Sequence, residues 1–519
     1  MTAYYPDYFN DVFGPVMQPG SSSHTAGPCR IGNLAHQLLS APLKNIRIEL
    51  DKNGSFAGTF GVMQEDLGML AGAYGLLPDD QRIFDIKEIL SKENISYQFA
   101  YIDFPCGAHP NAVRFILTDI NNTVVALTGN SVGGGRIETE YIKNIPYNYR
   151  GDCYLSCFFA ATVSKDDFIG KSEVLQIETV NSIDGEAFLL VSSEEPIKST
   201  VLQKLHFNLA PILPVISKKA KKPQLFTTFK EWSYYAETHG ITLAEASVRY
   251  EEYSSGWNRE RIRSYMKNLR ELMECQTQSV YENPELLLNS PFAGYHFEKW
   301  KTYEENKTPL SGHTIAKALR YTFGVQALSR GVKLVPGPMG TGGGFLYASL
   351  RAVSEKLHSS EEQIVDSLFI AAGIGAIAYS RTDPTGEVIG CMGECGVCGA
   401  MAAAAVTYLA GGSPKQVEDA ASLTMQASLG WPCDPIPGGY NQPCLSRFVT
   451  AVTMSIVFSD IALSGRDSVI PFHEVIDTSD KMGREMPQKY KCTSVGGICE
   501  TAAGKNCRKK FDAWRAAVK

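Results

Sequence analysis

The chain has 519 residues, 44% hydrophobic and 20% charged, with a formal net charge of −6. Such a length fits about two to four domains, and such a composition belongs to ordinary globular proteins. The mild acidity argues against non-specific binding to nucleic acid or to an anionic membrane surface, and no apolar run is expected to span a bilayer.

The opening stretch MTAYYPDYFNDVFGPV has neither the basic n-region nor the apolar h-region of a secretory signal. The cysteines number 13, an odd count too sparse for a disulfide scaffold. A reducing cytoplasm with free thiols is the expectation. Gly20-Ser-Ser-Ser-His-Thr-Ala-Gly27 precedes a helical pattern from Arg30 to Leu39. Hydroxyls and backbone N–H groups there suit either an anion cradle or a plain helix cap. His24 is the side chain in that stretch that titrates near neutral pH. Ile46–Leu50 alternates as a strand, Asp66–Leu77 has helical spacing, and Ala112–Leu117 and Thr123–Thr128 read as paired strands. Val174–Val180 and Glu186–Ser192 form a hairpin pattern, followed by a helix pattern from Ile197 to Leu205. Lys218–Pro223 (KKAKKP) is the best linker.

From Phe226 onward the pattern is almost wholly helical. Helices are predicted over Leu243–Glu252, Arg259–Cys275, Thr314–Ala327, Leu346–Leu357, Glu362–Tyr379, Ala400–Leu409, Pro414–Leu429 and Arg447–Leu463. The loop Val335–Gly344 (VPGPMGTGGG) is rich in glycine but lacks a GKS/T ending, so it makes a poor nucleotide loop. Cys391, Cys433 and Cys444 sit in Gly/Pro-rich turns, the last two around Pro437-Gly438-Gly439, and flank an alanine-rich helix. That arrangement suits an inorganic centre such as an iron–sulfur cluster held by thiolates. Three ligands leave one metal position open, as in catalytic zinc sites. Buried inert thiols, or a Cys395/Cys398 redox or zinc pair, are the other readings of these residues.

Together these stretches resemble the iron–sulfur-dependent L-serine dehydratases (L-serine ammonia-lyases), with the β and α parts fused in one chain. The family's β part resembles residues 8–145: its GPSSSHTAG motif appears as Pro19–Gly27, GSFA as Gly54–Ala57, HPN as His109–Asn111 and GGG as Gly133–Gly135. Its α part resembles residues 285–500: GCQxExGxxxxMAAA appears as Gly390–Ala404 and CDPxxGxxxxPC as Cys433–Cys444.

The resemblance implies an α+β chain: an N-terminal antiparallel-sheet α/β domain (1–150), a small β-rich, ACT-like or linking region (151–222), and an all-α catalytic domain (223–519), with the site between the first and last. It implies a [4Fe–4S] cluster on Cys391, Cys433 and Cys444, and puts Cys395 and Cys398 on non-ligand positions. The expected reaction is deamination of L-serine, or a related β-hydroxy amino acid, to pyruvate and ammonia. His24 is the expected base, with Ser22, Ser23 and Thr25 in the catalytic set. The expected substrate-binding residues are Ser21, His109, Asn111, Gly340, Thr341 and Arg381. A small amino-acid substrate, no nucleic acid, no membrane, a homodimer and a cytoplasmic location complete the expectation.

Three stretches depart from the family. Its APTAGSxG loop is here Val335–Gly344, its NASISGAxxGC approach is Arg381–Cys391, and its GHGTD is Val62–Asp66 (VMQED), without the histidine. Changed substrate-side loops suggest a substrate other than plain serine, with Arg381 pairing either an extra carboxylate or a structural or surface acid. The rival readings are a carbon–sulfur lyase acting on cysteine and a non-catalytic ligand-sensing paralogue.

Overall fold

The computed structural model describes residues 5–61, 63–105, 108–198, 200–216, 224–288, 294–436 and 443–518. The predicted linker at 218–223, the Pro437-Gly438-Gly439 turn and Val62 lie outside them. The architecture is α+β in two compact units: Gly20–Lys222, and Met1–Pro19 together with Pro223–Lys519. The first 19 residues thus go with the helices, and the β-rich middle region shares a unit with the N-terminal sheet.

The α/β unit holds two sheets. The larger runs β2-β1-β3-β4-β5-β6, with β1 Leu43–Asp51, β2 Ser96–Ile102, β3 Ala112–Asp119, β4 Val124–Ser131, β5 Ile137–Ile142 and β6 Ile145–Pro146. Alternation builds it: Ile46, Ile48 and Leu50 of β1 and Val113, Phe115 and Leu117 of β3 are buried in one core. Its neighbours pair antiparallel except β1 with β2, which run parallel.

Helices Gly27–His36 and Glu65–Ala73 pack on each other, backbone to backbone. A Cβ added at Gly72 would sit 2.0 Å from the Cys29 carbonyl oxygen, and one at Gly68 2.3 Å from that of Thr25. Gly72→Ala is therefore expected to lower stability by about 1–3 kcal/mol, read as a lower urea midpoint at unchanged slope.

The smaller sheet, β10-β7-β9-β8, comprises β7 Tyr154–Phe159, β8 Val174–Asn181, β9 Ala187–Ser193 and β10 Leu205–Leu209. Leu155, Cys157 and Leu190 join the larger core, whereas Phe158, Leu189 and Val191 pack on the other face with Phe168 and Ile197. The predicted helix over Ile197–Leu205 is a 3₁₀ turn, Thr200–Lys204, running straight into β10. The three-residue spacing of Leu202 and Leu205 satisfies a 3₁₀ turn as well as an α-helix.

In the helical unit, Val397–Leu409 is apolar on every side and lies at the centre, touching Gly342–Leu357, Glu361–Tyr379, Pro414–Ser428 and Cys444–Leu463. Full capping boxes from Thr228, Ser360 and Ser413 start helices Phe229–Thr238, Glu361–Tyr379 and Pro414–Ser428. Residues 6–13 are fixed here by named contacts. The Tyr8 N–H donates to Glu251 (2.8 Å), its ring stacks on Tyr250 at 5.0 Å, and Asp7 accepts from Ser254.

Among the described residues, three helices meet the length and apolarity of a bilayer span, contrary to the expectation from sequence. They are Glu361–Tyr379 and Met392–Leu409, each 83% buried, and Cys444–Leu463, 28% buried. Their Gly, Ala, Ser and Thr content keeps any single apolar run short. Among the described residues, π-helical turns occupy Tyr8–Val12, Ser22–Ala26 and Met392–Gly396, and the last two each lead directly into an α-helix.

Candidate functional site

In the α/β unit the Ser/His motif is wound as the π turn Ser22–Ala26, continuous with helix Gly27–His36. Ser21 governs its start. Its Oγ accepts the His24 N–H (3.1 Å), and its carbonyl accepts those of Thr25 and Ala26. These N–H groups are thus taken, so the motif is less a backbone anion cradle than a cluster of hydroxyls around an imidazole.

His24 is fully buried. Its Nδ1 lies 2.9 Å from Ser23 Oγ and its Nε2 3.0 Å from Ser55 Oγ, with Phe56 edge-on at 5.4 Å. A hydroxyl can donate or accept, so the two serines support either neutral tautomer. Ser22, Ser23 and Thr25 are buried beside it, and Thr25 Oγ1 donates to the Met63 carbonyl.

The other motifs of this unit gather here. The Ser55 N–H donates to the Pro110 carbonyl at 2.8 Å, which ties GSFA to HPN. His109 Nδ1 accepts the Asn111 N–H (3.1 Å), and Asn111 Oδ1 is buried with no partner among the described residues. Arg30 donates to the Gly135 carbonyl at 2.6 Å, anchoring the GGG turn.

Glu65 escaped the sequence reading. It is fully buried, and its Oε2 accepts the N–H groups of Gly61 (2.9 Å) and Met63 (3.1 Å). Burial pushes its carboxyl from 4.5 up to about 8. Between those values the folded state keeps a proton that the unfolded state has released, so folding stability falls as pH rises through that window. Glu65→Gln removes this loss. Its stability advantage over the parent is expected to grow from pH 5 to pH 8, by up to about 1.4 kcal/mol per unit, in urea titrations at both pH values.

In the helical unit, buried Cys391 and Cys433 lie with Cys444 in one electrostatic neighbourhood: Cys391 acts on the thiols of both others. A turn of backbone brings Cys391 and Cys395 Sγ to 3.1 Å; that hydrogen bond, with Arg447 nearby, holds the Cys391 thiol below its usual range, while burial and the same bond push Cys395 well above its own. A bond to Cys492 and burial push Cys433 up, and burial does the same for Cys444. Gly386 leaves space beside the sulfur, since a Cβ there would lie 2.7 Å from Cys433 Sγ.

The chain after residue 488 straps Cys433–Pro435 in place. Cys433 N–H donates to Tyr490 O (2.8 Å), Cys492 N–H to Cys433 O (2.7 Å) and Ile498 N–H to Asp434 Oδ2 (2.8 Å). Asp434 also takes Arg447 Nη2 at 2.7 Å. Cys492 lies against this set, whereas the Cys499 thiol donates to Pro435 O at 3.1 Å.

The donor set suits a cluster ligand shell: two buried thiols and a half-buried one in a shared electrostatic neighbourhood, a guanidinium to offset thiolate charge, and a glycine where a side chain would intrude. Gly340 is buried, and Thr341 opens helix Gly342–Leu357, whose Gly342 carbonyl accepts from the Cys398 thiol (3.2 Å). Arg381 Nη1 is gripped by both Asp477 oxygens at 2.8 and 2.9 Å. One nitrogen of its guanidinium therefore serves an ion pair between two stretches of the helical unit.

Comparison with known proteins agrees with both units. The family model of the serine dehydratase alpha chain matches residues 236–499. The probable L-serine dehydratase alpha chain of Bacillus subtilis is 29% identical over 288 residues, 55% of this chain and 95% of its own. The L-serine dehydratase alpha chain of Peptoniphilus asaccharolyticus is 27% identical over 288 residues, 55% of this chain and 98% of its own. The beta chain from that same organism is 34% identical over 142 residues, 27% of this chain and 63% of its own. The chain therefore belongs to the L-serine dehydratase family, with alpha-like and beta-like parts joined in one polypeptide.

Proposed function

We propose that the chain is a [4Fe–4S]-dependent L-serine ammonia-lyase that forms pyruvate and ammonia. The observation that supports this reading is that buried Cys391 and Cys433 and half-buried Cys444 share one electrostatic neighbourhood with Arg447, which is itself paired to Asp434 beside Cys433. Cys391, Cys433 and Cys444 would hold the cluster, which supplies a Lewis-acidic iron for the departing β-hydroxyl.

The chain's own groups do the rest. His24, fixed between Ser23 and Ser55, takes the α-proton, a role contributing on the order of 10²–10⁴-fold. Ser21, Ser22, Ser23, Thr25 and Asn111 orient the amino acid through hydrogen bonds, and the buried Asn111 Oδ1 is an acceptor in want of a donor. Loss of the proton and of hydroxide, which leave together as water, gives aminoacrylate; it tautomerises and takes up water to yield pyruvate and ammonia. Arg381 pairs with Asp477 through Nη1, which favours the structural ion pair over a second substrate carboxylate as its role. L-serine, the substrate named for the relatives, is the reading retained.

Anaerobically reconstituted protein should retain iron and sulfide and turn over serine faster than threonine or cysteine, measured as pyruvate. Sulfide release from cysteine outpacing pyruvate from serine would point to the carbon–sulfur lyase instead. A chain that holds no iron would be the ligand-sensing paralogue.

A further inference from the structure

We propose that Glu65 is a positioning residue for His24, acting through both segments that hold the imidazole. This rests on His24 being the base of the proposed reaction. The first segment is the Ser/His turn. Thr25 in it donates to the Met63 carbonyl and accepts the Ser21 N–H at 3.1 Å, and Ser21 and Thr25 bracket His24. The Met63 N–H in turn ends on Glu65 Oε2. The second segment is the short helix Ser55–Thr59. Ser55 Oγ meets His24 Nε2, Thr59 Oγ1 donates to the Ser55 carbonyl at 2.9 Å, and the Gly61 N–H, two residues beyond this helix, ends on Glu65 Oε2. One carboxyl therefore stands at the junction of the two clamps.

The backbone between them needs such a tie. Gly61 has φ 78° and Gln64 φ 61°. A non-glycine residue in the left-handed region is held there by its surroundings, and the two N–H groups that Glu65 accepts flank this bend. Helix Glu65–Ala73 also rests on the Thr25 backbone through Gly68, so a shift at its first residue is passed to the Ser/His turn. The function needs acceptor oxygens and no net charge, in keeping with a carboxyl that burial keeps mostly protonated at neutral pH.

Glu65→Ala removes the acceptors, whereas Glu65→Gln keeps one oxygen that can accept both N–H groups. In the reconstituted full chain, Glu65→Ala is expected to lower kcat for serine by about 10- to 100-fold with KM and iron content within about twofold. Glu65→Gln should restore most of that loss. A second readout does not depend on turnover: diethyl pyrocarbonate should acylate His24 at least about tenfold faster in Glu65→Ala than in the parent or in Glu65→Gln, by peptide mass mapping, with other histidines unchanged. Parental kcat in Glu65→Ala, or unchanged His24 acylation, overturns the proposal. So does Glu65→Gln failing like Glu65→Ala with a raised KM, which would make Glu65 a direct substrate contact. A parent chain that never converts serine sinks the functional reading, and the acylation rates then decide the role of Glu65 alone.

Discussion

Cys433→Ser is expected to strip the protein of iron and visible absorbance and to lower serine turnover on the order of 10³-fold or more, since a Lewis acid supplies several kcal/mol and each 1.36 kcal/mol is tenfold. Cys433 is where the effect should be cleanest. Its backbone is paired on both sides to Tyr490 and Cys492, and Asp434 beside it is tied to Arg447 and Ile498, so the fold around the substitution is braced. Cys391→Ser and Cys444→Ser should behave alike. Cys395→Ser is the control: its sulfur lies 3.1 Å from that of Cys391, too close for the two to serve separate corners of a cuboidal cluster. Iron retained in Cys433→Ser, or lost equally in Cys395→Ser, would mean that the ligand set has been misassigned.

His24→Gln is expected to cut kcat by about 10²–10⁴-fold with iron content and unfolding midpoint close to the parent. Gln can keep a hydrogen bond to Ser23 or Ser55, so packing against Phe56 is roughly preserved while basicity is lost. The matching measurement is exchange of the serine α-hydrogen with solvent deuterium, which should stop as turnover does. A variant that still exchanges that hydrogen at the parental rate would assign the base elsewhere.

Much of this was legible in the residues. Long helices announce themselves by period and by caps: the reading Glu362–Tyr379 is found as Glu361–Tyr379, and Pro414–Leu429 as Pro414–Ser428. The Ser/His, GSFA and HPN stretches lie far apart in sequence yet meet through Ser55 and Pro110. What was illegible has physical reasons. Strand β2 is largely exposed and pairs in parallel across a long connection, so it has no hairpin turn to mark it. Helices Phe297–Asn306 and Phe472–Glu485 lack the small apolar content that flagged their neighbours. Glu65 drew no reading of its own within the Val62–Asp66 stretch, because nothing local says that its carboxyl will be enclosed. Arg381 was open to either an extra substrate carboxylate or a structural ion pair; its partner Asp477 is 96 residues away, a separation that no local pattern reveals.

The π turns at Ser22–Ala26 and Met392–Gly396 carry a further consequence. Each holds one residue more than a regular coil would, immediately before an α-helix that is otherwise in phase. Deleting a single amino acid from either would let the ordinary winding take over, a local gain in hydrogen-bond geometry. It would also swing everything upstream by about 100° around the axis, carrying His24 off Ser55 in one case and Cys391 away from its companion sulfurs in the other. Both motifs are thus kept at the price of a wasted residue, and a shortened variant should come out sturdier and inert.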